Sequence, residues 1–280
     1  MIDAHAHLQH DAFERDLDEV LGRATEAGVD RIVVPGWDAA SSQAALDLAQ
    51  RASGPAGPTI LAAAGIHPHD AASAGGDAWR VIEALAADDA VVAVGETGLD
   101  YDRMFSPREV QLENLRRHLT LALRTTKPLI VHCRSGVGAR DAQDDLLREL
   151  DAAGVGGESW GAAFGGRPSG VLHSYSGPAD YGERALEMGL AVSFSGLVFR
   201  DGESASEAIA GRVPADRLLV ETDAPFLSPR GAPRRRNEPA FVGFTAAWLA
   251  EQRRTELVSL ERDLAMNFDG IFGAGGGPRS

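Results

Sequence analysis

Two hydrophobic periods alternate along most of the chain. Short apolar runs, the mark of buried strands, are separated by longer stretches in which apolar residues recur every third or fourth position, the mark of helices. The first run sets Ile2, Ala4, Ala6 and Leu8 against Asp3, His5 and His7, a period of two that puts the three polar residues on one strand face. Phe13, Leu17, Val20, Leu21 and Ala24 then predict a helix over 13–27, ended by Gly28. Apolar runs at 31–35, 60–66, 91–96, 128–132, 171–173, 191–194 and 217–223 predict further strands. Helical spacing covers 40–52, 77–87, 107–125, 138–153, 178–188, 203–211, 240–254 and 256–271, with Pro107 at a first turn and a break at Gly54-Pro55-Ala56-Gly57-Pro58. Residues 154–170 are Gly-rich and aperiodic. They join a helix to a strand and read as a surface insertion.

Eight apolar strands, each followed by a helix or loop, give the α/β class and the pattern of a single-domain (β/α)8 TIM barrel. A doubly wound open sheet fits less well, because it rarely uses eight strands at such even spacing. The barrel is expected to occupy residues 1–272, with 273–280 a Gly-rich tail.

Composition narrows the class. With 44% hydrophobic and 24% charged residues, the chain has the make-up of a globular protein with a substantial core. No apolar run reaches the ~18 residues of a membrane span, and no basic and apolar leader precedes the first strand. The single cysteine, Cys133, excludes an intramolecular disulfide and fits a reducing cytoplasm. A net charge of −14 argues against a protein coated in basic surface for duplex DNA, but not against an enzyme that draws a phosphodiester into a metal-lined pocket.

The chemistry lies at the strand ends. His5 and His7 end the first strand, His67 the third, Glu96 the fourth, His132 the fifth, His173 the sixth and Asp223 the eighth. In a barrel these ends converge on one mouth. Each residue alone has a bland reading, as a hydrogen-bonded core histidine, an ion-pair partner or a turn cap. Together they read as a metal site. Imidazole and carboxylate suit zinc, manganese, iron or nickel, whereas magnesium prefers oxygen ligands. Two ions about 3.5–4 Å apart need a bridging anion. Some barrel hydrolases use a carboxylated lysine at the end of strand four. The only lysine here, Lys127, precedes strand five at the opposite rim, which leaves Glu96 as the bridge.

Seven short motifs occur in order: Asp-x-His-x-His-Leu (3–8), Gly-x-His-Pro (65–68), Gly-Glu-x-Gly-Leu-Asp-Tyr (95–101), Pro-Leu-Ile-Val-His-x-Arg (128–134), His-x-x-Ser-Gly (173–177), Glu-Thr-Asp-Ala-Pro (221–225) and Arg-Asn-Glu-Pro (236–239). The set resembles the TatD-like metal-dependent hydrolases, often described as deoxyribonucleases, over nearly the whole chain. Three departures stand out: Leu-His-Ser-Tyr-Ser-Gly at the sixth strand, Thr97 where an apolar residue is common, and the long 154–170 segment. The resemblance implies a TIM barrel, a divalent-metal centre and hydrolysis of phosphodiester bonds, with His5, His7, Glu96, His132, His173 and Asp223 as metal ligands.

On this reading His5, His7 and Asp223 hold one ion and His132 and His173 the other, with magnesium, manganese or zinc as candidates and Glu96 bridging. A metal-activated water attacks phosphorus, and Asp223 is the candidate general base. His67 and Arg134 are candidate substrate contacts, and Asp3 is a structural neighbour rather than a ligand. The Arg234-Arg235-Arg236 run is either a phosphate contact or a solvated face, and Arg236-Asn237-Glu238 reads as a structural hold on the final loop. Cys133 follows His132 directly and faces the other way, and neither Ser135 nor Ser176 sits in a nucleophile elbow. DNA, as single strands or ends, is the expected substrate, and no protein partner is called for. The alternatives are an amidase or esterase on the same barrel, such as a D-aminoacyl-tRNA deacylase, and a non-catalytic binding protein, which a complete ligand set disfavours.

Overall fold

Parallel strands cannot be joined by tight turns, so each must return through a crossover, and here the crossovers are mostly helical. The computed structural model describes residues 1–51, 57–233 and 235–273. Its strands are β1 (Ile2–Asp3), β2 (Arg31–Pro35), β3 (Thr59–Ala64), β4 (Val91–Asp100), β5 (Leu129–Arg134), β6 (Gly170–Leu172), β7 (Ala191–Phe194) and β8 (Leu218–Val220). They pair in parallel in sequence order. The helices are α1 (Leu17–Glu26), α2 (Ala39–Arg51), α3 (Gly76–Ala87), α4 (Arg108–Thr125), α5 (Asp141–Ala152), α6 (Glu158–Phe164), α7 (Ala179–Glu187), α8 (Ser204–Ala210), α9 (Val242–Arg253) and α10 (Leu257–Phe272).

The ring is completed between β8 and β1 by single contacts. The Ala4 amide donates to Val220 O (3.0 Å), the Asp223 amide to His5 O (2.9 Å) and the His7 amide to Ala224 O (2.7 Å). Asp3 adds a side-chain clasp, accepting from the Thr222 amide at 2.9 Å and its hydroxyl at 2.6 Å. Burial pushes the Asp3 carboxyl up to about 8 against these bonds. Asp3 therefore closes the barrel beneath the site, in keeping with a structural role.

Every residue of β7 and β8 is buried, which explains why these strands read as continuous apolar runs rather than alternating ones. The helices bury one stripe each. In α10 it is Leu260, Leu264, Asn267, Phe268, Ile271 and Phe272, at helical spacing. No helix among the described residues is long and apolar enough to cross a membrane.

Boundaries differ from the sequence pattern at informative places. The first regular strand is only Ile2–Asp3, and a 3-10 turn at Asp11–Phe13 precedes α1. β8 stops at Val220, so Asp223 stands in irregular chain with a φ of 55°. β4 instead runs past Glu96 to Asp100. The 154–170 segment is largely exposed, but it contains the regular helix α6, which its aperiodic sequence does not show. Trp160 and Phe164 of α6 are buried and stacked at 5.5 Å, and Trp160 Nε1 donates to Ala153 O at 3.0 Å. A helix this short, flanked by glycines, has too few turns to show a period. The 54–58 break lies largely outside the described residues, as do Arg234 and all of the expected tail beyond Gly273.

Candidate metal centre

β4 places the central residue. Its register shifts against β3 between Ala62 and Ala63 and against β5 between Val94 and Thr97, and Glu96 lies inside the second shift, with its amide donating to Gly36 O at 2.9 Å. Gly98 is required for the pairing that follows. A Cβ there would stand 1.9 Å from His132 O, and its φ is +134°. Backbone-to-backbone approach at Gly98 thus brings β4 and His132 of β5 together.

Glu96 is buried at 2% exposure, and its two oxygens divide the surrounding side chains. Oε2 lies 3.2 Å from His5 Nε2 and 3.5 Å from His7 Nε2. Asp223 Oδ1 completes this group, at 3.7 Å from His5 Nε2 and 3.5 Å from His7 Nε2. Oε1 lies 2.9 Å from His173 Nε2, 3.3 Å from His132 Nδ1 and 3.2 Å from His67 Nε2. The structure therefore brings together all six residues expected as ligands, with His67 beside them.

The outward ring nitrogens identify which histidines suit a metal. His173 Nδ1 donates to Glu221 Oε1 (3.1 Å), and Glu221 is itself held by the Ser193 hydroxyl. His132 Nε2 donates to Asp100 Oδ2 (3.2 Å), and His7 Nδ1 to Pro35 O (3.3 Å). Carboxylates and carbonyls only accept, so each of these rings spends a proton outward and turns its other nitrogen towards Glu96. His67 is the opposite case. Its Nδ1 accepts the His69 amide at 3.1 Å, so the neutral ring keeps its proton on Nε2, facing the carboxylate. Proximity alone groups His67 with Glu96 and His132. The hydrogen-bond pattern makes it a donor.

A ring nitrogen aimed at a carboxylate needs either a proton on it or a cation between the two. The spacing suits a cation. Ligand atoms about 2.0–2.1 Å from a tetrahedral ion lie about 3.3–3.4 Å from one another; the first group's distances, 3.2 to 3.7 Å, bracket that value, and the second group's, 2.9 and 3.3 Å, reach its lower end. The electrostatics agree. Burial opposes the charged form of Glu96, yet His173, His67 and His5 hold its pKa well below the usual carboxylate range. Burial also disfavours charge on His173 and His132, but Glu96 with Glu221, and Asp100 with Glu96, raise both above the ordinary histidine value. His7 and His67 are pushed down by burial to about 3 and about 4, leaving them neutral. The site asks for positive charge, which protons on His173 and His132 or a bound cation can supply, while His7 and His67 are held neutral.

Asp223 differs from Glu96. Burial pushes its carboxyl up to about 6, with His5 and His173 opposing. Arg134, the last residue of β5, stands half-exposed at the mouth, its Nη2 3.0 Å from Asp102 Oδ2. Arg236 turns away. It clamps Asp16 with two bonds of 2.7 and 2.6 Å, lies over the Phe13 ring and reaches Glu238, bracing the final loop. Lys127 Nζ donates to Asp88 O at 2.5 Å, before the start of β4 and far along that strand from Glu96. Burial pushes the Cys133 thiol up to about 12, and Ser135 caps α5 by accepting the Ala142 amide, so neither is a primed nucleophile.

The sequence pattern missed Asp100, His69 and Glu221. Asp100 accepts from His69 Nε2 at 2.8 Å as well as from His132. Both acids carried a signal: Asp100 follows Glu96 by four residues and Glu221 precedes Asp223 by two, spacings that keep a strand face.

A ring of parallel strands with imidazoles and carboxylates gathered at its C-terminal mouth defines a metal-dependent hydrolase barrel. The chain belongs to the TatD-related DNase family, whose sequence model matches residues 2–273. It is 36% identical over 279 residues to the 3'-5' ssDNA/RNA exonuclease TatD of Klebsiella pneumoniae, covering 98% of each chain. It is 35% identical over 255 residues to the uncharacterized metal-dependent hydrolase YabD of Bacillus subtilis, covering 90% of each. Its fold superposes on the Escherichia coli TatD homologue YJJV with a TM-score of 0.83 at 27% identity, over 98% of both chains.

Proposed function

We propose that the protein removes nucleotides from the ends of single-stranded DNA by hydrolysing phosphodiester bonds. The observation that carries the reading is the division of two donor groups by one carboxylate, Glu96, in a 640 Å³ cavity at the barrel mouth. The naming of relatives as 3'-5' ssDNA/RNA exonucleases supports the substrate class.

In this reading His5, His7 and Asp223 would hold one divalent ion and His132 and His173 a second, with Glu96, which lies between the two groups, as their shared ligand. Magnesium, manganese and zinc are the candidates. Such ions supply charge to the phosphoryl oxygens and acidify water. The protein supplies the rest. Asp223, at the edge of the donor set with Oδ1 3.5 Å from His7 Nε2, is placed to take the proton of the attacking water. His67 offers Nε2–H to a nonbridging phosphoryl oxygen, since its Nδ1 is committed to the His69 amide. Arg134 pairs with a phosphate at the mouth, leaving Asp102 to do so.

The test is digestion of 3′- and 5′-labelled single-stranded DNA with each divalent cation, with Glu96→Ala as control. Release of labelled nucleotides by the wild type alone, only with metal, is expected. Intact strands under every metal, with ester or amide substrates turned over instead, would refute it.

A further inference from the structure

We propose that Phe105 and Phe226 are stacking faces for the two bases that flank the scissile phosphate of a single strand. The inference rests on the nuclease reading above and adds how the strand is held.

Large apolar side chains exposed among the described residues are scattered over the surface, but only Phe105 and Phe226 of them line the central cavity. They are 66% and 48% exposed. Both stand in loops at the mouth, Phe105 between β4 and α4 and Phe226 after β8.

Each ring is braced against a different half of the donor set. The Phe226 amide donates to Asp223 O at 2.8 Å, and its ring meets His7 at 6.0 Å and His10 at 5.5 Å, both near perpendicular. Phe105 meets His69 at 4.8 Å, also near perpendicular, and His69 is bonded to the Asp100 carboxylate that orients His132. One aromatic face is thus tied to the His7–Asp223 group and the other to the His132 group, with Glu96 between them. A phosphodiester seated at Glu96 would place the base on either side of it within reach of one ring.

Charge leaves stacking much to do. The cavity lining includes Arg103 and Arg134 but also Asp70, Asp100 and Glu203, and the chain carries −14. Among the described residues that line the cavity, acids outnumber the arginines, so the lining itself offers little basic surface to track a phosphate backbone. Aromatic platforms serve instead, because every base has a π-face and stacking is tolerant of sequence. Duplex bases already stack on one another, so two separate faces select unpaired ends.

The test combines protein and substrate changes. Phe105→Ala and Phe226→Ala are each expected to lower kcat/KM on a single-stranded oligonucleotide by about 10-fold to 100-fold, and Phe→Tyr to restore it. Phe→Leu, which keeps bulk without a π-face, should behave as alanine does. An abasic residue on one side of the scissile bond should penalise the wild type by a similar factor but add nothing to the matching alanine variant. 2-Aminopurine at either position of a cleavage-resistant strand should be quenched by the wild type and less by that variant. Unchanged kcat/KM in both alanine variants, or abasic penalties that simply add, would overturn the inference while the nuclease reading stands. A wild type that cleaves no strand overturns both.

Discussion

Glu221 accepts the Nδ1 proton of His173 at 3.1 Å, and that bond decides which nitrogen faces Glu96. Replacing the carboxylate with an amide keeps the shape and an acceptor oxygen but removes the charge that strengthens the bond and holds the proton on Nδ1. Glu221→Gln is expected to weaken binding of the divalent ion by about 10-fold to 100-fold. Titration with manganese, read by calorimetry, checks this. An affinity equal to wild type would show that the charge of Glu221 does not tune the His173 ring for metal.

Asp223→Asn keeps an oxygen at the site but loses the proton acceptor. Turnover on single-stranded DNA should fall by about 10²-fold to 10⁴-fold with ions still bound. The measurement is kcat together with metal content, and full activity in a loaded variant would remove Asp223 from the chemistry.

A pH effect on stability follows from His118, which lies outside the donor set. Its Nδ1 donates to Asn114 O at 2.8 Å, and its Nε2 accepts the Ile66 amide at 3.0 Å, fixing the loop that carries His67. Burial pushes its pKa down to about 4. Between roughly pH 6.5 and 4 the unfolded chain therefore takes up a proton that the folded chain refuses. Stability contributed here is full above 6.5 and falls with pH through that window, by up to about 3 kcal/mol. Denaturant unfolding of His118→Gln across this range should show a shallower slope than wild type. Equal slopes would contradict the assignment.

Trp160 tests the segment that the sequence pattern left shapeless. Its ring is 2% exposed and stacked on Phe164. Trp160→Ala should lower stability by about 3–5 kcal/mol while leaving kcat per folded molecule unchanged. Urea unfolding and turnover measure the two separately. A loss of kcat without a loss of stability would tie α6 to the site.

The barrel could be read from the chain because buried parallel strands are apolar throughout and their helices keep a clear stripe. The ligands could be read because histidines are scarce in this sequence and most of the eight fall at expected strand ends. What escaped was set by tertiary structure. β4 continues through Gly98 to Asp100 because β5 pairs with it there, which local propensity does not reveal. Glu221 looked like part of a strand until His173, from another strand, came within 3.1 Å. The role of His67 was open in sequence, because it depends on a backbone amide two residues away turning towards its ring.

The central claim is that Glu96 divides a two-ion site. Counting bound manganese per chain in the wild type and in Glu96→Ala, by equilibrium dialysis, tests it most directly. Two ions are expected in the wild type, and loss of at least one, with loss of nuclease activity, in the variant. One ion in the wild type, or two retained without Glu96, would contradict it.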